Sequence, residues 1–114
     1  MSEHDEQVTV CEYLKALNLP FYAVPNAAKR SLRLAKWYKD EGLSAGVPDL
    51  CIPVARGGFH SLYIEMKRPD GSTKDITDNQ IKWAKRLSDE GMAVLVCFGA
   101  EKAIACVDWY LNLT

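Results

Sequence analysis

The sequence predicts an α/β fold in which helices flank a mixed β-sheet, and two observations lead to this prediction. Some segments of the chain carry apolar residues at helical spacing, and these segments are interleaved with short ones in which polar and apolar residues alternate, as in β-strands. The chain has 114 residues, enough for one hydrophobic core but not for two. We therefore expect a single domain over residues 1–114, in the order helix, strand, helix, strand, strand, helix, strand, helix.

The first part of the chain supplies two predicted helices and a short strand. Residues 6–18 carry apolar side chains at helical spacing, and the pattern stops before Pro20. Residues 21–24 are aromatic and β-branched, which indicates a brief strand. Residues 27–41 form the second predicted helix, which Gly42 terminates.

Two strands of alternating polarity follow. They cover residues 49–54 and 62–67. The sequence Arg56-Gly57-Gly58 between them favours a tight connection, because glycine accepts the backbone angles that a hairpin turn requires. The two strands are therefore expected to pair antiparallel.

The last part of the chain supplies a loop, a helix, a strand and a final helix. Residues 68–78 are polar and are expected to form a mobile loop. A helix is predicted over residues 77–90, capped by Thr77 or by Asp75. Residues 92–98 are continuously apolar, which is typical of a strand covered on both faces, and residues 100–111 form an amphipathic helix.

Composition narrows the classes of function. No apolar run reaches the roughly 18 residues of a membrane span, and the acidic, polar start of the chain is unlike a signal peptide. We therefore expect a cytoplasmic protein with no membrane partner. The four cysteines show neither a CxxC pair nor a histidine at zinc-finger spacing, so free thiols are expected.

The net charge and the distribution of charge point in opposite directions on whether the protein binds nucleic acid. The formal net charge of −1 argues against a nucleic-acid binder, but residues 1–12 hold four acids and no Lys or Arg, so the remainder of the chain carries a net charge of +3. A basic stretch follows, made up of Lys29, Arg30, Arg33, Lys36 and Lys39. A local basic face is sufficient to contact phosphates, although the same stretch is also what an ordinary solvated helix face would look like.

Three residues of the predicted hairpin form a set suited to phosphodiester hydrolysis. Glu65 and Lys67 are two apart in a strand and so project from one face, and Asp49 opens the neighbouring strand at the same end of the hairpin. Carboxylates are ligands that Mg²⁺ and Mn²⁺ prefer, and a lysine stabilises charge on a phosphate. The plain alternatives are an exposed ion pair for Glu65 and Lys67, and simple turn chemistry for Asp49.

Two further polar residues lie on apolar stripes of predicted helices. Glu6 continues the stripe of Val10 and Tyr13, and Gln80 shares the stripe of Trp83. Polar groups that face a core need partners, which a metal site with ordered water would supply. Alternatively, Glu6 is a favourable acid in a first helical turn, and Gln80 faces solvent if its helix is rotated.

These segments together resemble a known nuclease family. The matching segments are Gly-Val-Pro-Asp-Leu at residues 46–50, Tyr-Ile-Glu-Met-Lys at residues 63–67, and Gln80 opening a helix with Trp83 and Leu87. The pattern is similar to the VRR-NUC domain of the PD-(D/E)XK nuclease superfamily, in its stand-alone phage and bacterial form. The resemblance covers nearly the whole chain. It implies a restriction-endonuclease-like core and a bacterial or phage-infected cell as the place of action.

The resemblance also implies roles for individual residues. The implied metal ligands are Asp49, Glu65, Glu6 and the backbone carbonyl of Met66. Lys67 matches the catalytic lysine, and Gln80 matches the glutamine that orients the site. The expected DNA contacts are Asn26, Lys29, Arg30, Arg33 and Lys36. Ala27 and Ala28 stand where many members have glycines, which affects the expected DNA contact of that loop and not the catalytic centre.

The implied activity is that of a Mg²⁺- or Mn²⁺-dependent DNA endonuclease acting on structured or branched DNA, similar to Holliday-junction resolvases. A homodimer is expected, because two sites related by a two-fold axis suit a two-fold junction. Trp37, Tyr38 and Trp109 are candidates for its interface, or parts of the core. Two alternatives stay open: a non-catalytic module of the same fold that binds DNA or a replication partner, and an RNase of the same chemistry.

Overall fold

A four-stranded mixed sheet organises the fold. The computed structural model describes residues 2–25 and 32–114. The strands are β1 (Tyr22–Ala23), β2 (Leu50–Ile52), β3 (Leu62–Lys67) and β4 (Ala93–Phe98), and the helices are α1 (Glu3–Ala16), α2 (Leu32–Asp40), α3 (Asp78–Asp89) and α4 (Ala100–Leu111). The spatial order is β1-β2-β3-β4, with antiparallel pairing from β1 to β3 and parallel pairing of β3 with β4. The predicted fold class is confirmed.

The β2–β3 hairpin forms as predicted. Arg56 and Phe59 exchange both of their backbone hydrogen bonds, at 3.1 and 2.8 Å. Gly57 and Gly58 between them have φ values of 58° and 86°. Positive φ at both central positions is the geometry of a type I′ turn, whose twist matches that of the strands it joins.

The helices begin and end at recognisable signals. α1 starts earlier than the sequence pattern predicts, because Ser2 and Asp5 form a reciprocal capping box around its first turn. It ends at Ala16, and Asn18 then takes a left-handed conformation with φ of 55°. Within the described residues, no helix is long and apolar enough to span a membrane.

One face of the sheet, the closed face, is packed against α1 and α4. Leu62, Ile64 and Met66 of β3 point to this face, and each is 0% exposed. They join apolar residues of both helices in the core cluster, among them Val10 and Val107. The hydrophobic core of the molecule therefore lies on the closed face.

The opposite face, the open face, carries α3. Glu65 and Lys67 of β3 point to it. Val94 and Val96 of β4 point the same way and are half-buried, and none of the residues of α3 is fully buried. The prediction that residues 92–98 are covered on both faces is therefore wrong for the open face, because β4 is an edge strand and α3 covers it incompletely.

Candidate active site

The hairpin register brings two carboxylates together on the open face. Leu50 pairs with Ile64, so Asp49, one residue before β2, stands beside Glu65. Asp49 is fixed from two sides: its carbonyl accepts from the amide of Val24 at 2.8 Å, and its Oδ2 accepts from the amide of Met66 at 2.7 Å. Backbone amides of Val24, just after β1, and of Met66 in β3 thus set the position of this aspartate.

Glu65 is the most perturbed group of the site. It is 5% exposed. Burial, followed by a hydrogen bond with Asp49 and the negative charge of Asp49, raises the pKa of Glu65 to about 9, while the positive charge of Lys67 acts in the opposite direction. Glu65 is buried and Asp49 is half-buried. Because two adjacent carboxylates repel each other when both are ionised, the protein without a bound cation favours the protonated form of Glu65.

The same repulsion makes the pair suited to a divalent cation. A metal ion bound between Asp49 and Glu65 would replace the proton and neutralise both charges, and carboxylate oxygens are the donors that Mg²⁺ and Mn²⁺ prefer. Among residues 2–25 and 32–114, no three His, Cys, Asp or Glu side chains are arranged to hold a metal. A cation bound between Asp49 and Glu65 would therefore need its remaining ligands from backbone oxygen and water.

Lys67 lies on the same face as Glu65, at the end of β3. Its side chain is 8% exposed, and its Nζ donates a hydrogen bond of 2.8 Å to the backbone carbonyl of Asp75. Within the described part of the chain, no carboxylate oxygen lies within 4.0 Å of this ammonium group. An ammonium has three N–H donors, so two remain for other partners.

Gln80 lies in the first turn of α3, next to the carboxylate pair. Its Oε1 accepts from the amide of Thr77 at 2.9 Å, and its own amide donates to the Thr77 hydroxyl at 3.2 Å, which completes a capping box. Together with Glu65 it lines a largely apolar cavity of about 190 Å³ between α3 and the sheet. The helix cap therefore sets the position of Gln80 beside Glu65.

Glu6 makes its contact at the end of β4. It is 8% exposed, and its Oε1 lies 3.4 Å from the amide of Ala100, the first residue of α4. A Cβ on Gly99 would come within 3.2 Å of the same oxygen, so glycine leaves room for the carboxylate. The prediction that Glu6 is buried and needs a partner agrees with this position, and the partner in the structure is a helix N-terminus, which favours an acid.

The predicted DNA contacts divide into two groups. Arg33 and Lys36 are exposed on α2, a helix with no buried residue, and Lys36 pairs with Asp40 at 2.9 Å. Asn26, Lys29 and Arg30 lie outside the described residues.

One element of the site was not predicted from the sequence. Thr73–Asp75 forms a 3-10 turn in the segment expected to be a mobile loop, and the carbonyl of Asp75 is the acceptor for Lys67. The available signal was the spacing of Ser72 and Asp75, which matches the serine and acid of a capping box.

Comparisons with known proteins agree on one family. The model of the VRR-NUC domain family matches residues 2–101. Among solved structures, the chain is similar to a protein described as a VRR-NUC domain protein, at 27% sequence identity and a TM-score of 0.84, with 99% of this chain and 90% of that one covered. A search of curated proteins found no match.

Proposed function

Because the chain belongs to the VRR-NUC family of nuclease-type domains, we propose that it is a DNA endonuclease that depends on Mg²⁺ or Mn²⁺ and hydrolyses phosphodiester bonds in structured or branched DNA. One observation supports the chemistry more than any other. Asp49, which is half-buried, stands beside the buried Glu65, and the buried Lys67 lies on the same face of the sheet.

Asp49 and Glu65 would hold the cation, together with the carbonyl of Met66. Glu6, the third expected carboxylate ligand, is not grouped with these two and lies instead against the Ala100 amide at the start of α4. The chemistry that bound Mg²⁺ or Mn²⁺ supplies is activation of water and neutralisation of charge on the phosphate. The protein contributes a fixed aspartate, because the amides of Met66 and Val24 hold Asp49 in place before any ligand arrives.

Lys67 is proposed to act on the scissile phosphate. One of its N–H donors is occupied by the Asp75 carbonyl, which leaves two to orient the attacking water and to bind a phosphate oxygen. A positive group that is already fixed in a largely water-excluded position stabilises developing negative charge strongly. Gln80 would orient the groups around Glu65, since its side chain is already restrained by the cap of α3.

Binding of DNA is proposed to involve α2 and a second copy of the chain. Arg33 and Lys36 would contact phosphates, and Asn26, Lys29 and Arg30 would continue this surface in sequence. Trp37 and Trp109 are 65% and 50% exposed, which supports their assignment to a dimer interface. Two sites in a two-fold dimer suit a two-fold DNA junction.

A cleavage assay over several substrates tests the proposal. Four-way junctions, flaps, duplex DNA, single strands and duplex RNA are incubated with the protein in Mg²⁺, Mn²⁺ or EDTA. We expect cutting of a branched DNA that EDTA and Asp49→Ala abolish. Glu90→Ala, which removes an exposed acid at the far end of α3, serves as the control and should cut like the wild type.

The other outcomes separate the alternatives. Absence of metal-dependent cutting on every substrate, with retained DNA binding, would replace the nuclease by a non-catalytic binding module. Preferential cutting of RNA would identify an RNase of the same chemistry. Undiminished cutting by Asp49→Ala would exclude the carboxylate pair as the active site.

A further inference from the structure

We infer that Asp75 is a positioning residue for Lys67, acting through a short capped turn in the loop after β3. This inference rests on the proposed function, in which Lys67 acts on the phosphate. The contact that leads to it is the 2.8 Å hydrogen bond from Lys67 Nζ to the backbone carbonyl of Asp75. Lys67 is 8% exposed, so its ammonium has little access to water as a substitute partner.

The side chain of Asp75 closes the turn that presents its own carbonyl. Asp75 Oδ2 accepts from the amide of Ser72 at 2.8 Å, and the amide of Asp75 donates to the carbonyl of Ser72 at 2.9 Å. The hydroxyl of Ser72 caps the other side of the turn by accepting from the amide of Lys74. A bond from an amide to a carboxylate is charge-assisted and stronger than its neutral equivalent.

Gly71 shows how closely the chain passes this carboxylate. A Cβ at position 71 would lie 2.9 Å from Asp75 Oδ2 and 3.1 Å from the carbonyl of Arg68. Both distances are shorter than an ordinary carbon–oxygen contact, so an alanine here must displace the carboxylate or the turn. Gly71 therefore offers a second way to disturb the turn without removing a polar group.

A carbonyl acceptor has a specific advantage for a catalytic lysine. Lysine carries its charge on a long flexible stem, and an acceptor that fixes one N–H directs the other two. A carboxylate would fix the ammonium equally well but would cancel its charge, whereas a neutral carbonyl leaves the full positive charge available. Turnover is sensitive to displacements of about 1 Å in such a group.

Turnover measurements on the whole protein test the inference. We expect Asp75→Ala and Gly71→Ala to lower kcat by about 10-fold or more, with KM changed by less than about twofold. Asp75→Asn keeps an acceptor for the Ser72 amide and should restore most of kcat. Asp70→Ala removes an exposed acid from the same loop and should leave kcat unchanged.

A double variant separates positioning from general damage to the fold. In a Lys67→Ala background, Asp75→Ala should cause no further loss of kcat, because the group that it positions is gone. Thermal unfolding shows that each variant is folded at the assay temperature. The inference is overturned if Asp75→Ala and Asp70→Ala have the same kcat, or if Asp75→Ala lowers kcat equally with and without Lys67.

A spectroscopic measurement separates failure of this inference from failure of the proposed function. The ¹H–¹⁵N signal of the Lys67 ammonium, assigned by its loss in Lys67→Ala, should be visible at low temperature in the wild type and in Asp75→Asn. It should exchange into solvent and disappear in Asp75→Ala and Gly71→Ala. A protein that cuts no DNA but shows this pattern retains the positioning contact, and a signal unaffected by Asp75→Ala contradicts it.

Discussion

The two faces of β3 are both buried but differ in the side chains that they carry. Leu62, Ile64 and Met66 point to the closed face and are completely buried among apolar side chains. Glu65 and Lys67, which alternate with them, are nearly as buried on the open face but are polar, and one of them has a strongly raised pKa. Burying these polar groups costs free energy, which the hydrophobic core on the closed face offsets.

The largest expected effect comes from removing the lysine of the open face. Lys67→Ala should lower the rate of DNA cleavage by about 10²- to 10³-fold, because it removes a fixed positive group from the site of the phosphate. Single-turnover rates measure this loss. Lys102→Ala, at an exposed position of α4, is the control. A Lys67→Ala protein that cuts at the wild-type rate would show that the open face is not the reacting face.

Substitution of Met66, which precedes Lys67 in β3, should lower stability and leave cleavage intact. Met66→Ala creates a cavity in the closed face and should lower the free energy of unfolding by about 2–5 kcal/mol, because a fully buried methionine is truncated. Its backbone carbonyl, the proposed metal ligand, is retained. Denaturant unfolding measures the loss of stability, and cleavage at a temperature where the variant is folded should persist. A stable but inactive Met66→Ala would contradict the separation of the two faces.

The third effect concerns the stability of the cation-free protein. The pKa of Glu65 is raised to about 9 in the folded state, so the unfolded chain loses this proton first as the pH rises. The contribution of Glu65 to stability is therefore complete below the ordinary glutamate pKa and is lost progressively between about pH 4.5 and pH 9.

Glu65→Gln should consequently stabilise the protein in a chelating buffer, by on the order of 1–3 kcal/mol at pH 7. The difference from the wild type should grow between pH 5 and pH 9, measured by denaturant unfolding at several pH values. Glu90→Gln, an exposed position, should show no such trend. Equal stability of Glu65→Gln and the wild type at pH 8 would show that ionising Glu65 beside Asp49 does not destabilise the folded protein.

The sequence was most informative for β3, because side chains in a strand alternate between the two faces of the sheet. Alternation along β3 placed Glu65 and Lys67 on one face, and the two glycines of the hairpin placed Asp49 opposite them. These inferences depend on local geometry, so the structure agrees with them. The start of α1 was missed although its capping residues were readable, because the apolar pattern begins later than the cap.

Other features were beyond the sequence for physical reasons. A continuous apolar run does not reveal whether its strand is central or at an edge, and β4 lies at an edge with Val94 and Val96 half-buried. A helical stripe gives the direction of Glu6 but not which group it meets, and that group is the amide of Ala100. The acceptor of Lys67 is a backbone carbonyl, which every residue possesses, so no side-chain pattern identifies it.

The smallest change is predicted for DNA affinity when Lys36 on the surface of α2 is replaced, and Lys85 provides a closely matched control. Lys36 and Lys85 each pair with an aspartate four residues later at 2.9 Å, with side chains 77% and 76% exposed. Alanine at either position removes the same charge and an equivalent surface ion pair. If α2 contacts DNA, Lys36→Ala alone should reduce the slope of log affinity against log salt by about 1. Identical salt dependence of the two variants would exclude this contact.

The central claim is that the open face carries a divalent-cation site made by Asp49 and Glu65. Isothermal titration calorimetry of the DNA-free protein with Mn²⁺ tests this site, and the result does not depend on which DNA substrate the enzyme prefers. We predict saturable binding by the wild type and by Glu90→Gln, and loss of that binding in both Asp49→Ala and Glu65→Gln. Binding that is unchanged in these two variants, or absent from the wild type, would contradict the account.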